Sequence, residues 1–376
     1  MERTVPLFGI YRDDRMVAAA QEVLHSGQIA SGPYVKQFAD AFGKLVNQAN
    51  VVTVNDMSSA IQIALRLISV GLGDEVLASP YACMSTNAPI ATSGAMPVWV
   101  DIDPQTGTMD PEALERAITP RSKAVLVYHL AGYPADISRI AEICKDRGLK
   151  LIEDCDNALL ATVDGKQVGN FGDFAVYSFY PNRQINATEG GALCCRHSAD
   201  ADRAIRLRRY GIDLNRFRDH SGEIDPHCDI PEIGWAATLN NLCSSIGYVQ
   251  IEGVTERIDK TRCIASKLAE ALSRVKNIEI VSPQSGSIPS FWALLVKIPN
   301  RDWVLMELKR RGVHASKLHQ RTDVYSGFCT ASPYLPNASQ FLDQVLGLPC
   351  GWWITDDDIA FMASTLQTLV ADAAHT

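Results

Sequence analysis

Residues 151–191 hold the chain's densest set of groups able to do chemistry. The apolar run Leu151-Ile152 ends in Glu153-Asp154, and C-D-N-A follows. After a glycine-bounded G-K-Q-V-G hairpin, a second apolar strand leads into Y-P-N-R-Q-I-N-A-T and closes on Glu189-Gly190-Gly191. A carboxylate ending a buried strand, as Asp154 does, either pairs with a protonated ring nitrogen or caps a turn. Arg183, in the polar loop, stays protonated at any working pH. Its forked donors suit a phosphate or carboxylate, and it cannot serve as a base. Upstream, Asn55-Asp56-Met57-Ser58-Ser59 precedes a helical pattern. Backbone N–H groups at a helix start, with small hydroxyls, cradle a phosphate, although Ser and Asn also stand there as plain caps.

Such groups must be delivered by elements that end at one edge. Apolar, β-branched segments at 51–54, 75–78, 97–101, 124–128, 150–153 and 174–179 read as strands. Helical patterns cover 13–47 (broken at Ser26-Gly27 and Ser31-Gly32-Pro33), 60–70, 111–118 and 136–147, with 55–59 as a polar turn. The alternation argues for an α/β fold, a mainly parallel sheet covered on both faces. Ligands collect at the carboxyl ends of such strands, where the polar turns after residues 54, 78, 128, 153 and 179 lie. From about 240 the pattern changes to a long helical run over 239–272. A smaller α+β unit follows, with a strand at 291–298 and helices at 303–311 and 356–373. The expected division is 1–240, a large α/β unit with an N-terminal helical segment, and 241–376, a connecting helix and small α+β unit. The charged segment 214–233, with Pro226 and Pro231, reads as a mobile surface loop.

A chain of 376 residues, 47% hydrophobic and 21% charged, can bury a large core. Its net charge of −8 and lack of basic blocks argue against nucleic-acid binding. No apolar run reaches a membrane span and the N-terminus has no secretory pattern, so no membrane partner and a cytoplasmic location are expected. The ten cysteines are scattered, with Cys194-Cys195 the only close pair, and read as reduced thiols. No C-x-x-C or H-E-x-x-H occurs, and no metal is expected.

The segment 151–191 resembles the active-site segment of the DegT/StrS sugar aminotransferases. Their pattern runs E-D-x-A-[QH]-A, a G-x-x-x-G hairpin, then S-F-x-x-x-K-x-x-x-x-G-E-G-G, and the landmarks align without a gap. The likeness extends from P-L-F-G-I at 6–10 to the last helix. It implies a PLP-dependent transferase fold of type I, with a mainly parallel seven-stranded sheet, and pyridoxal or pyridoxamine phosphate (PLP or PMP) as cofactor. On this resemblance Asp154 meets the ring nitrogen, Asn157 neighbours the phenolic oxygen, and Cys83 in P-Y-A-C-M-S-T-N lies against a ring face. Met57 through its backbone, Ser58, Ser59 and Ser178 become phosphate contacts. G-V-H-A-S-K-L-H-Q-R-T-D at 312–323 resembles a segment of members acting on nucleotide-linked keto sugars. His319 and Arg321 are thereby substrate or interface candidates, and Glu189 is assigned to the substrate side. The tryptophans of L-P-C-G-W-W (348–353) match a landmark that packs the small unit.

The chain departs from the family at several positions, among them Asn157, which takes the place of a glutamine or histidine. The lysine that forms the Schiff base falls on Arg183, which can neither condense with the aldehyde nor shuttle a proton. Ala236 replaces an asparagine that reaches the phosphate across the dimer, and Thr188 replaces a glycine. Lys166 reads as a solvated hairpin residue. The implied activity is amino-sugar or natural-product biosynthesis by a homodimer acting on a nucleotide-linked keto sugar, with classical transamination opposed by Arg183. Several alternatives stay open. One is non-covalent PLP or PMP in dehydratase-like chemistry, with Asp156 or His129 moving the proton. Others are a non-catalytic subunit paired in a heterodimer with a lysine-bearing paralogue, and cofactor-independent chemistry on the same fold. The last is an ordinary aminotransferase inactivated by a Lys→Arg change.

Overall fold

The computed structural model describes residues 3–328 and 334–373. Two amphipathic helices come first, α1 (Asp14–Ser26) and α2 (Pro33–Leu45). Strands and helices then alternate: β1 (Val51–Val54), α3 (Met57–Leu67), β2 (Glu75–Ala78), α4 (Met84–Thr92), β3 (Met96–Trp99), α5 (Pro111–Ala117), β4 (Ser122–Tyr128), α6 (Ile137–Arg147) and β5 (Lys150–Asp154). A short hairpin, β6 (Thr162–Val163) and β7 (Lys166–Gln167), precedes β8 (Phe174–Ser178), β9 (Gly191–Cys195) and α7 (Ser198–Leu207).

The main sheet has seven strands in the order β1-β9-β8-β5-β4-β2-β3, and β9 alone runs against the rest. Both faces are buried, which explains why the strands read as unbroken apolar runs. Side chains alternate between the faces with period two. Leu126, Ile152, Val176 and Cys195 enter the core under α3 and α4, while Val127, Leu151, Tyr177 and Cys194 enter the core under α2 and α6. The adjacent cysteines therefore sit on opposite sides of the sheet, and the described cysteines are free thiols.

The chain continues with α8 (Asn241–Tyr248), α9 (Val254–Leu272), β10 (Glu279–Ile280), β11 (Ser287–Ile288), β12 (Leu294–Lys297), α10 (Arg301–Arg310), α11 (Pro336–Gln344), β13 (Val345–Leu348) and α12 (Asp356–Ala373), and β11 pairs with β6 of the hairpin. A three-stranded antiparallel sheet, β10-β12-β13, packs with α9, α10 and α12 around its own core. Val5 belongs to that core and bridges Val313, so the chain's start crosses to the C-terminal unit. Conversely α8 packs on α1 and α2.

Two sequence expectations need correction. The single helical run over 239–272 is two helices, because Gly253 takes a left-handed φ of 84° and breaks the run between α8 and α9. The polar turn at 55–59 is shorter: Asp56 is the N-cap of α3, accepting from the Ser59 N–H at 2.8 Å, so Met57, Ser58 and Ser59 form the first helical turn. The segment 214–233 has no helix or strand, and its end is pinned where Glu232 pairs with Arg66 and Arg203. Among the described residues, no helix is long and apolar enough to cross a membrane.

Candidate active site

Strands β1, β2, β4, β5 and β8 all end at one edge of the sheet, and the loops leaving them make the site. Asp154 closes β5 and is fully buried. Its Oδ2 accepts from the Thr86 hydroxyl at 2.7 Å, and its Oδ1 accepts from the Asp156 N–H at 3.0 Å. Burial pushes its pKa up to about 7, with the charge of Asp156 adding to the rise; Thr86, the Asp156 N–H and Arg183 pull it back. Thr86 lies one turn into α4, whose N-cap is the half-buried Cys83, so that helix start lines the same wall.

Arg183, in the loop after β8, does not reach into open space. Its Nε and one terminal nitrogen grip both carboxylate oxygens of Asp156, the latter contact at 2.7 Å, and the other terminal nitrogen donates to Asn182 Oδ1 at 2.5 Å. The side chains of Arg183 and Asp156 are only 11% and 1% exposed. Burial works against the guanidinium charge, but the charge and hydrogen bonds of Asp156 outweigh it and raise its pKa. The Trp292 ring lies 5.1 Å below the guanidinium, and Phe8 stacks on that ring at 4.2 Å. The sequence reading kept Asp156 open as a proton carrier; in the structure its carboxylate is paired with Arg183. Asp156 also stands at the alanine of E-D-x-A-[QH]-A, so the two departures from that pattern meet each other.

A second chain of polar groups crosses the site. Asn157 Nδ2 donates to the Tyr128 hydroxyl at 2.6 Å, and that hydroxyl lies 3.0 Å from His319 Nε2. Burial, then the charges of Asp156 and Asp154, hold the Tyr128 pKa well above its usual value, so it remains a neutral phenol. Burial and the Arg183 cation press His319 down to about 4, which keeps the imidazole neutral. Asn157 Oδ1 is buried without a hydrogen-bond partner among the described residues. Turning that amide over lets Tyr128 donate to Oδ1 and accept from His319, and leaves the Asn157 NH2 free to donate to a ligand.

At the end of β1, the N–H groups of Met57 and Ser58 open outward from the start of α3. The Ser58 hydroxyl donates to Ser85 O at 3.1 Å, and the Ser59 hydroxyl donates to Asp56 Oδ2 at 3.0 Å. Ser178 Oγ accepts from the Tyr180 N–H at 3.3 Å and keeps its own proton. Backbone amides and Ser178 are thus the groups best placed to receive a phosphate, while Ser59 serves the Asp56 cap. Gly191 closes against this turn, where an added Cβ would lie 2.8 Å from the Asp56 carbonyl carbon. Asn55 donates its N–H to Ala237 O at 3.0 Å, which sets exposed Ala236 beside the same turn.

Other candidates fall outside this group. Arg321 forks onto Asp323, at 2.9 and 2.6 Å, and reaches Ser339. Glu189 is exposed in its loop, and Thr188 before it takes a left-handed φ of 67°, a conformation that favours glycine. Lys166 is exposed, with its ammonium 4.3 Å over the Phe171 ring. His129, the other residue kept open as a proton carrier, also lies outside this group. His129 is fully buried, accepts from the Ala135 N–H at 3.1 Å through Nδ1, and faces Glu153 at 3.4 Å through Nε2. Glu153 in turn accepts from the N–H groups of Gly169, Phe171 and Gly172 at 2.6–2.7 Å. With Cys155 they have ligand spacing, yet these lone pairs already hold the loop after the hairpin. Sequence reasoning missed Thr86, Tyr128 and Trp292, which reach the site from separate elements.

The raised pKa of Asp154 predicts a pH dependence. The folded protein keeps this proton up to about pH 7, the unfolded chain only to about 4. The folded state binds the extra proton in that window, so this group's contribution to stability falls as pH rises through it. Thermal midpoints of the parent and of Asp154→Asn should therefore diverge in the variant's favour from pH 4 to pH 7. A difference that stays constant across that range contradicts the assignment.

Known proteins resemble this chain over nearly its whole length. The sequence pattern of the DegT/DnrJ/EryC1/StrS aminotransferase family matches residues 11–367. The chain is 26% identical over 381 residues to the spore coat polysaccharide biosynthesis protein SpsC of Bacillus subtilis, covering 98% of this chain and 97% of that one. The aminotransferase TlmJ from Streptoalloteichus hindustanus superposes with a TM-score of 0.92 at 28% identity, covering 98% of this chain and all of TlmJ (100%). The sugar aminotransferase CalS13 from Micromonospora echinospora superposes at 0.91 with 29% identity, covering 97% and 99% of the two chains.

Proposed function

Because the chain belongs to the DegT/DnrJ/EryC1/StrS aminotransferase family, we propose that it binds the family's cofactor, PLP or PMP, without a covalent bond. It then acts on a nucleotide-linked keto sugar in amino-sugar or related natural-product biosynthesis, as a cytoplasmic homodimer. The observation that carries this reading is the survival of a buried Asp154 beside the Arg183–Asp156 pair. The residues present fit the group: a buried carboxylate for the ring nitrogen, an orphaned Asn157 amide for the phenolic oxygen, and the start of α3 with Ser178 for the phosphate.

When bound, the protonated ring supplies an electron sink for the carbon that carries the transferred amine. Asp154 would keep the ring nitrogen protonated, and the charge of that nitrogen would in turn lower the raised Asp154 pKa and hold the carboxylate ionised. Arg183 holds Asp156 and cannot take a proton from carbon. Tyr128 and neutral His319 form the polar chain left to hold or pass a proton, at the His319 Nε2 atom. By the family resemblance His319 and Glu189 are assigned to the substrate and Cys83 to a ring face; Arg321 orients its own segment through Asp323.

Thermal-shift titration tests the reading. PMP and PLP should each raise the melting midpoint, by about 2.7 kcal/mol of stabilisation at a hundredfold excess over Kd, and Asp154→Ala should lose the effect. No response to either compound removes the cofactor from the account.

A non-catalytic role beside a lysine-bearing paralogue is the second reading, favoured by Ala236 and the locked Arg183. Co-purification of such a paralogue supports it; a purified homodimer that turns over a keto sugar excludes it.

A further inference from the structure

We propose that Asp156 is a positioning residue that locks the cation at position 183, so that covalent capture of the cofactor would stay barred even if a lysine replaced Arg183. The proposal rests on the cofactor reading above and adds to it a role for a residue outside the cofactor contacts.

The argument begins with geometry. Asp156 offers both oxygens to two nitrogens of Arg183, and its side chain is 1% exposed, so it has no solvent to turn to. The loop after β8 is fixed around this grip: the Arg183 N–H donates to Tyr180 O at 3.0 Å, and the Trp292 indole donates to Asn182 O at 3.1 Å. Whatever cation occupies position 183 is held by a carboxylate on one side and an aromatic face on the other.

This changes what a lysine could do there. Condensation needs a neutral amine: its lone pair adds to the aldehyde carbon, both amine hydrogens end on the departing oxygen, and water leaves. A lysine facing a buried carboxylate is held as ammonium and has no lone pair to give. Remove the carboxylate, and burial favours the neutral amine instead. Alanine at 156, as in the E-D-x-A-[QH]-A pattern, is therefore the partner a reactive lysine needs, and aspartate is the partner an arginine needs. The two positions act as one switch. A lone Arg183→Lys change leaves that switch off.

The test uses the full-length protein and three variants: Arg183→Lys, Arg183→Lys with Asp156→Ala, and Arg183→Lys with Asp156→Asn in case the alanine form folds poorly. Each is incubated with PLP and reduced with borohydride, which delivers hydride to the carbon of any C=N bond and fixes it. Intact mass and peptide mapping then read the adduct at position 183, and PLP binding is followed separately by equilibrium dialysis. The expected result is an adduct in the paired variants at least tenfold more abundant than in Arg183→Lys alone, with PLP bound in all. Equal capture by Arg183→Lys alone overturns the role of Asp156 and leaves the cofactor reading intact. PLP bound but captured by no variant also overturns it. If no form, parent included, binds PLP or PMP in dialysis, the cofactor reading itself fails and the proposal falls with it.

Discussion

Asp156→Ala is expected to lower the stability of the folded protein by about 3–5 kcal/mol, read as a shift in the urea midpoint. The size follows from burial: the Arg183 side chain, 11% exposed with the pair intact, would keep one strong partner, Asn182, and only the more distant Asp154 as counter-charge. The attraction lost is smaller than the cost of leaving a charge alone in a poorly solvated site. Replacing both partners with apolar residues, Asp156→Leu with Arg183→Met, should therefore recover most of the loss. Additive losses from the two single changes would contradict this, because they would mean that the pair is not coupled.

Glu153→Gln is expected to cost as much by a different route. Glu153 has no exposure, and one carboxylate accepts the N–H groups of Phe171 and Gly172 on Oε1 and that of Gly169 on Oε2, with His129 beside it. An amide keeps one accepting oxygen and turns an NH2 toward a donor. At about 1–3 kcal/mol for each orphaned donor, plus the weakening of bonds that a charge had assisted, the loss should be about 3–6 kcal/mol. The urea midpoint again reads it. His129→Gln, which removes the imidazole contacts to Glu153 and the Ala135 N–H but leaves the three N–H groups on Glu153 in place, should cost less, and a larger loss there would move the weight of this loop from Glu153 to the imidazole.

The fold was legible in the sequence wherever burial on both faces forces an unbroken apolar run. Val51–Val54 and Glu75–Ala78 lie where their residues suggest. Helix starts were less legible, since Asn55, Asp56, Ser58 and Ser59 favour turns and first helical turns alike. The break between α8 and α9 is invisible to periodicity, because Val249, Ile251 and Val254 carry the apolar spacing across it; Gly253 was the one local signal.

Asp154 could be placed from its position at the end of an apolar strand. Its partner Thr86 could not, since hydrogen bonds between side chains 68 residues apart leave no trace in local pattern. Asp156 was different. It stands where the family pattern has alanine, a departure the sequence reading passed over, and only the fold shows that this carboxylate and Arg183 answer one another. His319 and Arg321 look equivalent in H-Q-R-T-D, yet a spacing of two sends the imidazole to Tyr128 and the guanidinium to Asp323.

The central claim is that the cofactor is held by Asp154, Asn157, Ser178 and the start of α3, with no covalent bond to the chain. Diffraction from crystals soaked in PLP tests it most directly. The account predicts the ring nitrogen within hydrogen-bonding distance of an Asp154 oxygen, the Arg183 fork still closed on Asp156, and a gap in density between the aldehyde carbon and every protein nitrogen. Continuous density from that carbon to any side chain, or a ring turned away from Asp154, would contradict it.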